Sequence, residues 1–181
     1  MRERIVVAGC ELLHGFPIWN WSALTVPAVA EHAGIAPRTV YRYFASERDL
    51  RDAVMVRLEH EADVDLDGLR LEDVAEVAAR IIRHSSTFQI VPRVPRDATV
   101  AAANARQRDA LLAAIEPLTS DWSERERTIA GGMLDVLWSV VSYERLVTDW
   151  ELDLPDAVAG TTWVISLVEA AIRADQRPEP R

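Results

Sequence analysis

The chain has 181 residues, of which 49% are hydrophobic and 27% charged, a composition ordinary for a soluble globular protein. Its formal net charge of −9 argues against a chain that binds nucleic acid over its whole surface. The charge is unevenly spread, however. Residues 1–58 hold seven arginines against six acidic residues, whereas residues 59–181 hold thirteen against twenty-three. This asymmetry predicts different partners for the two parts of the chain.

Neither an oxidising compartment nor a membrane is indicated. Cys10 is the only cysteine, which excludes an intrachain disulfide. Glu3, Glu11 and His14 interrupt any apolar core of a signal peptide. Residues 157–172 are too short and too rich in Gly, Thr and Ser for a membrane span. We expect a cytoplasmic protein with no membrane partner.

The apolar periodicity predicts helices throughout and no strand, and therefore an all-α fold. Thr25 and Ser46 are suited to cap two of these helices. The tail 177–181 is expected to fray. The predicted helices are residues 5–13, 25–32, 37–44, 46–61, 72–85, 98–115, 123–149 and 155–174.

Residues 30–46, "AEHAGIAPRTVYRYFAS", have the pattern of a helix-turn-helix. Two short helices that cross steeply need a small residue at the contact, which Ala30 provides. Gly34 suits the turn because glycine tolerates a positive φ. Val40 of the second helix places an apolar side chain at the contact between the two helices.

The second helix of this motif has a polar and aromatic outer face. Val40 and Phe44, four residues apart, are expected to face inward. Such a face is suited to a DNA groove, because arginine can hydrogen-bond to guanine edges and tyrosine hydroxyls can hydrogen-bond to phosphates. The alternative is a plain helical hairpin with solvated arginines and half-buried tyrosines. The residues left outside are Pro37, Arg38, Thr39, Tyr41, Arg42 and Tyr43.

Residues 2–51 resemble the amino-terminal domain of the TetR family of transcriptional repressors, on the stretch "LTVPAVAEHAGIAPRTVYRYFASERDL". The resemblance rests on the Ala-Gly-Ile sequence at the turn and on the Tyr-Arg-Tyr-Phe sequence at the end of the second helix. The resemblance implies a TetR-like all-α fold, with a three-helix DNA-binding domain at 1–50 and a larger helical effector-binding and dimerisation domain at 51–176. It implies that the DNA contacts come from Thr25, Pro37, Arg38, Thr39, Tyr41, Arg42, Tyr43 and Arg48.

The chain departs from the family pattern at several positions of this domain. Ala36 replaces the usual serine cap of the second helix, and Pro37 compensates through its fixed φ. Glu47 stands where relatives have a phosphate-binding lysine, and Arg48 is the residue expected to replace that contact. We therefore expect fewer phosphate contacts than is usual in the family.

The last two predicted helices have more apolar surface than one small bundle can cover. Each carries apolar residues on two faces, which predicts a four-helix interface with a second copy of the chain; the resemblance implies the same. The alternative is a fully internal bundle. The residues predicted at the dimer interface are Gly132, Ser139, Ser142, Val158, Ile165, Leu167 and Val168.

An effector site is predicted among aromatic and polar residues of the second part. Six tryptophans favour an aromatic or apolar effector, although residues of these types are also common in plain cores. The residues predicted to bind it are His84, Phe88, Met133, Trp138, Tyr143 and Trp163.

The sequence thus predicts a homodimeric repressor that binds double-stranded DNA at a pseudo-palindromic operator and is released by a small hydrophobic or aromatic effector. No phosphate loop, nucleophile elbow or metal constellation is present, so we expect no enzyme, cofactor or metal. The alternative is a TetR-like interaction protein with weakened or lost DNA binding, which Glu47 motivates.

Overall fold

The computed structural model describes residues 1–16, 20–66, 68–89 and 98–178. These residues form nine α-helices and three short 3-10 turns, which confirms the predicted all-α fold. The structure divides into two compact units, residues 1–93 and 94–181. The predicted functional boundary at residue 50 remains a prediction; the helices at Glu47–Glu61 and Val74–Ser85 belong to the same compact unit as the helices before them.

Two side-chain caps start helices of the first unit where the sequence predicts them. The Thr25 hydroxyl oxygen accepts a hydrogen bond from the N–H of Ala28 at 3.3 Å. The Ser46 hydroxyl oxygen accepts from the N–H of Asp49 at 3.1 Å. Each cap supplies an acceptor to a helix N–H group that has no partner within the helix. The helices of this unit are α1 (Arg2–His14), α2 (Val26–His32), α3 (Pro37–Tyr41), α4 (Glu47–Glu61) and α5 (Val74–Ser85).

The core of the first unit is built on a close contact between α1 and α4. A Cβ atom added to Gly9 would lie 2.6 Å from Cγ2 of Val54, so glycine is required at this crossing. The same core includes Val29 of α2 and Val40 of α3, both fully buried. The two short helices therefore share one core with α1 and α4.

In the second unit, the prediction of one continuous helix over residues 123–149 is wrong. The chain leaves the helical conformation at Trp138 and Ser139, and a new helix begins. The Ser139 hydroxyl oxygen accepts from the N–H of Ser142 at 3.2 Å, and the Ser142 hydroxyl donates to the Val136 carbonyl. Both serines therefore stabilise a helix junction. The helices of this unit are α6 (Ala98–Ile115), α7 (Glu124–Leu137), α8 (Val140–Thr148) and α9 (Leu154–Arg173).

The core of the second unit is small. It centres on Ile115, Trp122, Ala130 and Ile172. The indole Nε1 of Trp122 donates to Oδ1 of Asp175 at 2.6 Å, which satisfies its polar group at the edge of this core. None of the helices in the described ranges combines the length and hydropathy that a membrane crossing requires.

Candidate nucleic-acid interface and effector cavity

The turn between α2 and α3 has the geometry of a helix-turn-helix. Gly34 adopts φ = 65°, the left-handed conformation that glycine reaches without steric cost. The Ile35 N–H donates to the Ala30 carbonyl at 2.9 Å and closes α2. Ala30 and Val40 are fully buried, as expected for the residues at the crossing.

The helix α3 is shorter than predicted, ending at Tyr41 rather than Phe44. The Val40 carbonyl accepts from the N–H groups of both Tyr43 and Phe44, at 2.9 and 3.0 Å, so the last turn tightens before the chain leaves the helix. Phe44 is nevertheless buried with Val40. These two side chains fix which face of α3 points outward.

The outward face of α3 is cationic and aromatic. Arg38 and Arg42 are exposed, and neither forms an ion pair with another residue in the described ranges. Tyr41 is 51% exposed and Tyr43 39%. The Arg42 guanidinium carbon lies 5.3 Å from the centre of the Tyr43 ring. Two unpaired guanidinium groups and two phenolic hydroxyls are suited to bind phosphates and base edges.

The other predicted DNA-binding residues differ in their exposure and partners. Pro37 is exposed at the first turn of α3, and Thr39 is half-buried. The Arg48 side chain is 88% exposed and lies 3.8 Å from Asp52, an open contact that leaves most of its donors accessible. The Thr25 hydroxyl acts as a helix cap acceptor, and its hydrogen can still be donated to a phosphate.

Glu47 has a structural partner that sequence reasoning did not identify. Its Oε1 accepts a hydrogen bond from the N–H of Val26, the first residue of α2, at 3.1 Å. Arg51, one turn along α4, donates from Nε to the Leu24 carbonyl at 2.9 Å and lies 3.4 Å from the Glu47 carboxylate. The start of α4 thus binds the chain at the entry to α2. Residues four apart on a helix are neighbours on its surface, so the pair Glu47 and Arg51 was the sequence signal for this ion pair.

The predicted effector residues fall in both units. His84 and Phe88 line a cavity of about 250 Å³ in the first unit, together with Trp21, Met55 and Glu59, which were not predicted. In the second unit, Trp138 lines a separate groove of about 270 Å³. The other three predicted residues, Met133, Tyr143 and Trp163, are 51%, 45% and 66% exposed.

The predicted dimer residues also differ from one another in their surroundings. Val158 and Leu167 are each 52% exposed, whereas Ile165 lines the groove beside Trp138 and Val168 packs on the core of its own unit. Gly132 is exposed, and a Cβ there would meet nothing within 4 Å. Ser139 and Ser142 are half-buried at the junction of α7 and α8.

Metal ligands and a reactive cysteine thiol are two features that can support catalysis in a protein. No group of three or more His, Cys, Asp and Glu residues within the described ranges is placed to hold a metal ion. Cys10 is buried, and burial with the nearby Glu61 carboxylate raises the pKa of its thiol to about 11. The thiol is therefore protonated at neutral pH and unsuited to act as a nucleophile.

Comparison with known proteins gives a match that covers the region of the helix-turn-helix. Residues 20–54, which include α2, α3 and the first half of α4, match the family model described as bacterial regulatory proteins, tetR family. No curated protein and no solved structure matches the chain significantly.

Proposed function

The amino-terminal domain of this chain is that of a TetR-family transcriptional regulator, and from this premise we propose that the protein is a homodimeric repressor controlled by a small hydrophobic or aromatic effector. Each subunit would place one α3 in the major groove at a half-site of a pseudo-palindromic operator. Half-sites of helix-turn-helix dimers lie one helical turn of DNA apart, about 34–36 Å, or a multiple of it.

The observation that carries the proposal is the outward face of α3. Val40 and Phe44 are held in the core, so Arg38 and Arg42 extend from a fixed backbone. Because neither arginine is paired within the described residues, binding to DNA does not require a protein ion pair to break first. Arg38 in the first turn is the better placed to read bases, since recognition helices meet bases near their amino-terminal end.

The alternative of a family member without DNA binding rests mainly on Glu47. Its carboxylate accepts the Val26 N–H and lies beside Arg51. This role explains an acidic residue at that position through the stability of the helix-turn-helix itself. Arg48, exposed next to it, supplies a cation for the phosphate contact.

Support for dimerisation comes from the exposed apolar side chains of α8 and α9. Trp163 and Leu167, one turn apart on α9, are 66% and 52% exposed, and Val140 and Val141 on α8 are 70% and 56% exposed. The two helices pack against each other, so these side chains belong to one helix pair. Apolar exposure of this extent typically marks an interaction surface.

Support for effector control comes from α4. Its first two turns bind the entry to α2 through Glu47 and Arg51, and its last two turns line the cavity through Met55, Leu58 and Glu59. A ligand that prefers one position of α4 would therefore bias the position of the helix-turn-helix. The shift cannot exceed the difference in ligand affinity between the two states.

The proposal is tested by a mobility-shift selection with fragments of the source genome. The purified protein should retain a small set of fragments that share an inverted repeat. DNase footprinting should then show protection on both halves of the repeat. Retention of no fragment, or uniform weak retention of all of them, would contradict a sequence-specific regulator.

A further inference from the structure

The cavity of the first unit has the size and lining of a small-molecule site. It has a volume of about 250 Å³ and lies among α1, α4 and α5. An apolar cavity of about 150 Å³ is known to accept benzene. The larger volume has room for an aromatic ring with one compact substituent. The apolar lining includes Leu13, Trp21, Met55, Leu58, Ile81 and Phe88.

Glu59 is the unusual member of this lining. It is half-buried, and its carboxylate forms no ion pair or hydrogen bond with any described residue. Three other acidic side chains of α4, those of Glu47, Asp52 and Glu61, have cationic partners close by. These pairs are Glu47 with Arg51, Asp52 with Arg48, and Glu61 with Arg57.

The second titratable residue of the lining is less accessible. Nε2 of His84 is buried and has no hydrogen-bond partner among the described residues. Its ring lies edge-on to Phe88, with the centroids 5.5 Å apart. Among the described residues of the lining, Glu59 is the only acidic one and none is Lys or Arg, so the lining favours a positive charge.

We propose that this cavity binds a small lipophilic cation, with its apolar ring against Trp21 and Phe88 and its positive charge beside Glu59. A carboxylate that has no cationic partner among the described residues attracts a bound cation, and the attraction is stronger where the pair is partly shielded from water. The inference rests on the effector part of the proposed function, which it narrows from hydrophobic molecules to positively charged ones.

The test compares two probes of the same shape that differ only in charge. Benzyltrimethylammonium carries a quaternary nitrogen where neopentylbenzene has a carbon atom. Dissociation constants for both are measured on the full-length protein by ligand-observed NMR. The wild-type protein should prefer the cation. We define the ratio as the Kd of neopentylbenzene divided by the Kd of benzyltrimethylammonium. In Glu59→Gln, this ratio should fall about tenfold, because the charge of the side chain is lost and its shape is kept.

Two further variants make the result specific to the cavity. Glu31→Gln makes the same chemical change at an exposed carboxylate outside the cavity lining and should leave the ratio unchanged. Ala62→Leu adds volume to a residue of the lining and should weaken both probes together. Circular dichroism and a thermal melt on each variant confirm that it is folded.

Equal affinity of the wild-type protein for both probes would overturn the proposal, as would no measurable binding of the cation or an unchanged ratio in Glu59→Gln. Binding to genomic DNA is measured separately, without probes. A protein that binds DNA but not the cation refutes this inference alone. One that binds the cation but no DNA refutes the proposed function and leaves the site in place.

Discussion

The carboxylate of Glu47, at the start of α4, accepts a hydrogen bond from the backbone N–H of Val26, at the start of α2, over a distance of 3.1 Å. The two residues are 21 positions apart. The contact gives a partner to one of the N–H groups that a helix leaves unpaired at its first turn, and it adds a negative charge at the positive end of the helix dipole. It therefore ties the position of the helix-turn-helix to α4.

Glu47→Ala should lower the free energy of unfolding by about 1 kcal/mol, the usual contribution of a helix-end acceptor. Glu47→Gln keeps a carbonyl acceptor at the same distance and should lose less. Urea denaturation of the three proteins measures the difference. Equal stability of the wild-type protein and Glu47→Ala would show that the contact contributes nothing.

The secondary structure was largely predictable because its signals are local. Thr25 and Ser46 each precede a helix by one residue, and a hydroxyl there satisfies an N–H three residues along the chain. The break at Trp138 and Ser139 was missed because apolar periodicity continues on both sides of it and no Gly or Pro marks it. Ser139 as a second N-cap was the signal that could have revealed the break.

Arg42 is expected to bind a phosphate, alone or together with a base edge. In Arg42→Ala, the affinities for matched and scrambled operators should both fall, and the slope of log affinity against log salt should decrease by about one unit; a larger fall for the matched operator would mark an additional base contact. Arg125→Ala removes an exposed arginine of the second unit and serves as the control. A loss confined to the matched operator would instead assign Arg42 to base reading.

Tyr43 should contact a phosphate through its hydroxyl. Tyr43→Phe keeps the ring beside the Arg42 guanidinium and removes only the hydroxyl, so it should weaken binding to all DNA sequences by a similar factor. Titration of matched and scrambled duplexes by fluorescence anisotropy checks this expectation. Unchanged affinity for both duplexes would place the hydroxyl outside the interface.

Leu167→Glu should convert the proposed dimer to a monomer, because it places a charge in an apolar surface that the partner would cover. Sedimentation velocity at micromolar concentration measures the change. Leu71→Glu makes the same substitution at a leucine that is 87% exposed in the first unit, and it should leave the dimer intact. A wild-type protein that sediments as a monomer would contradict the assignment.

Asp175 should make stability depend on pH in the acid range. Hydrogen bonds from Arg177 and then from the Trp122 indole lower its pKa below the ordinary value of 3.8. A lowered pKa in the folded state stabilises the protein above pH 3.8, and this contribution is lost as the pH falls through the lower value. The difference in Tm between the wild-type protein and Asp175→Asn should be largest near neutral pH and shrink below 3.8. A difference independent of pH would contradict this role.

The candidate sites were predictable only in part, since they depend on contacts between distant segments. Arg38 and Arg42 could be placed on the outer face because Val40 and Phe44 are close in sequence and fix the inner one. The cavity combines Trp21, Glu59 and Phe88 from separate segments, and no local periodicity brings them together. His84 and Phe88 were found from their residue types, whereas Glu59 resembles any acidic residue on an exposed helix.

The most direct test of the central claim is the affinity of the Arg38→Ala, Arg42→Ala double variant for a fragment selected by the wild-type protein, measured against a scrambled fragment at two salt concentrations. If α3 reads DNA, the variant should remain folded and lose its preference for the selected fragment, with a salt slope reduced by one to two units. Full and sequence-selective binding by the folded variant would show that this surface does not touch DNA.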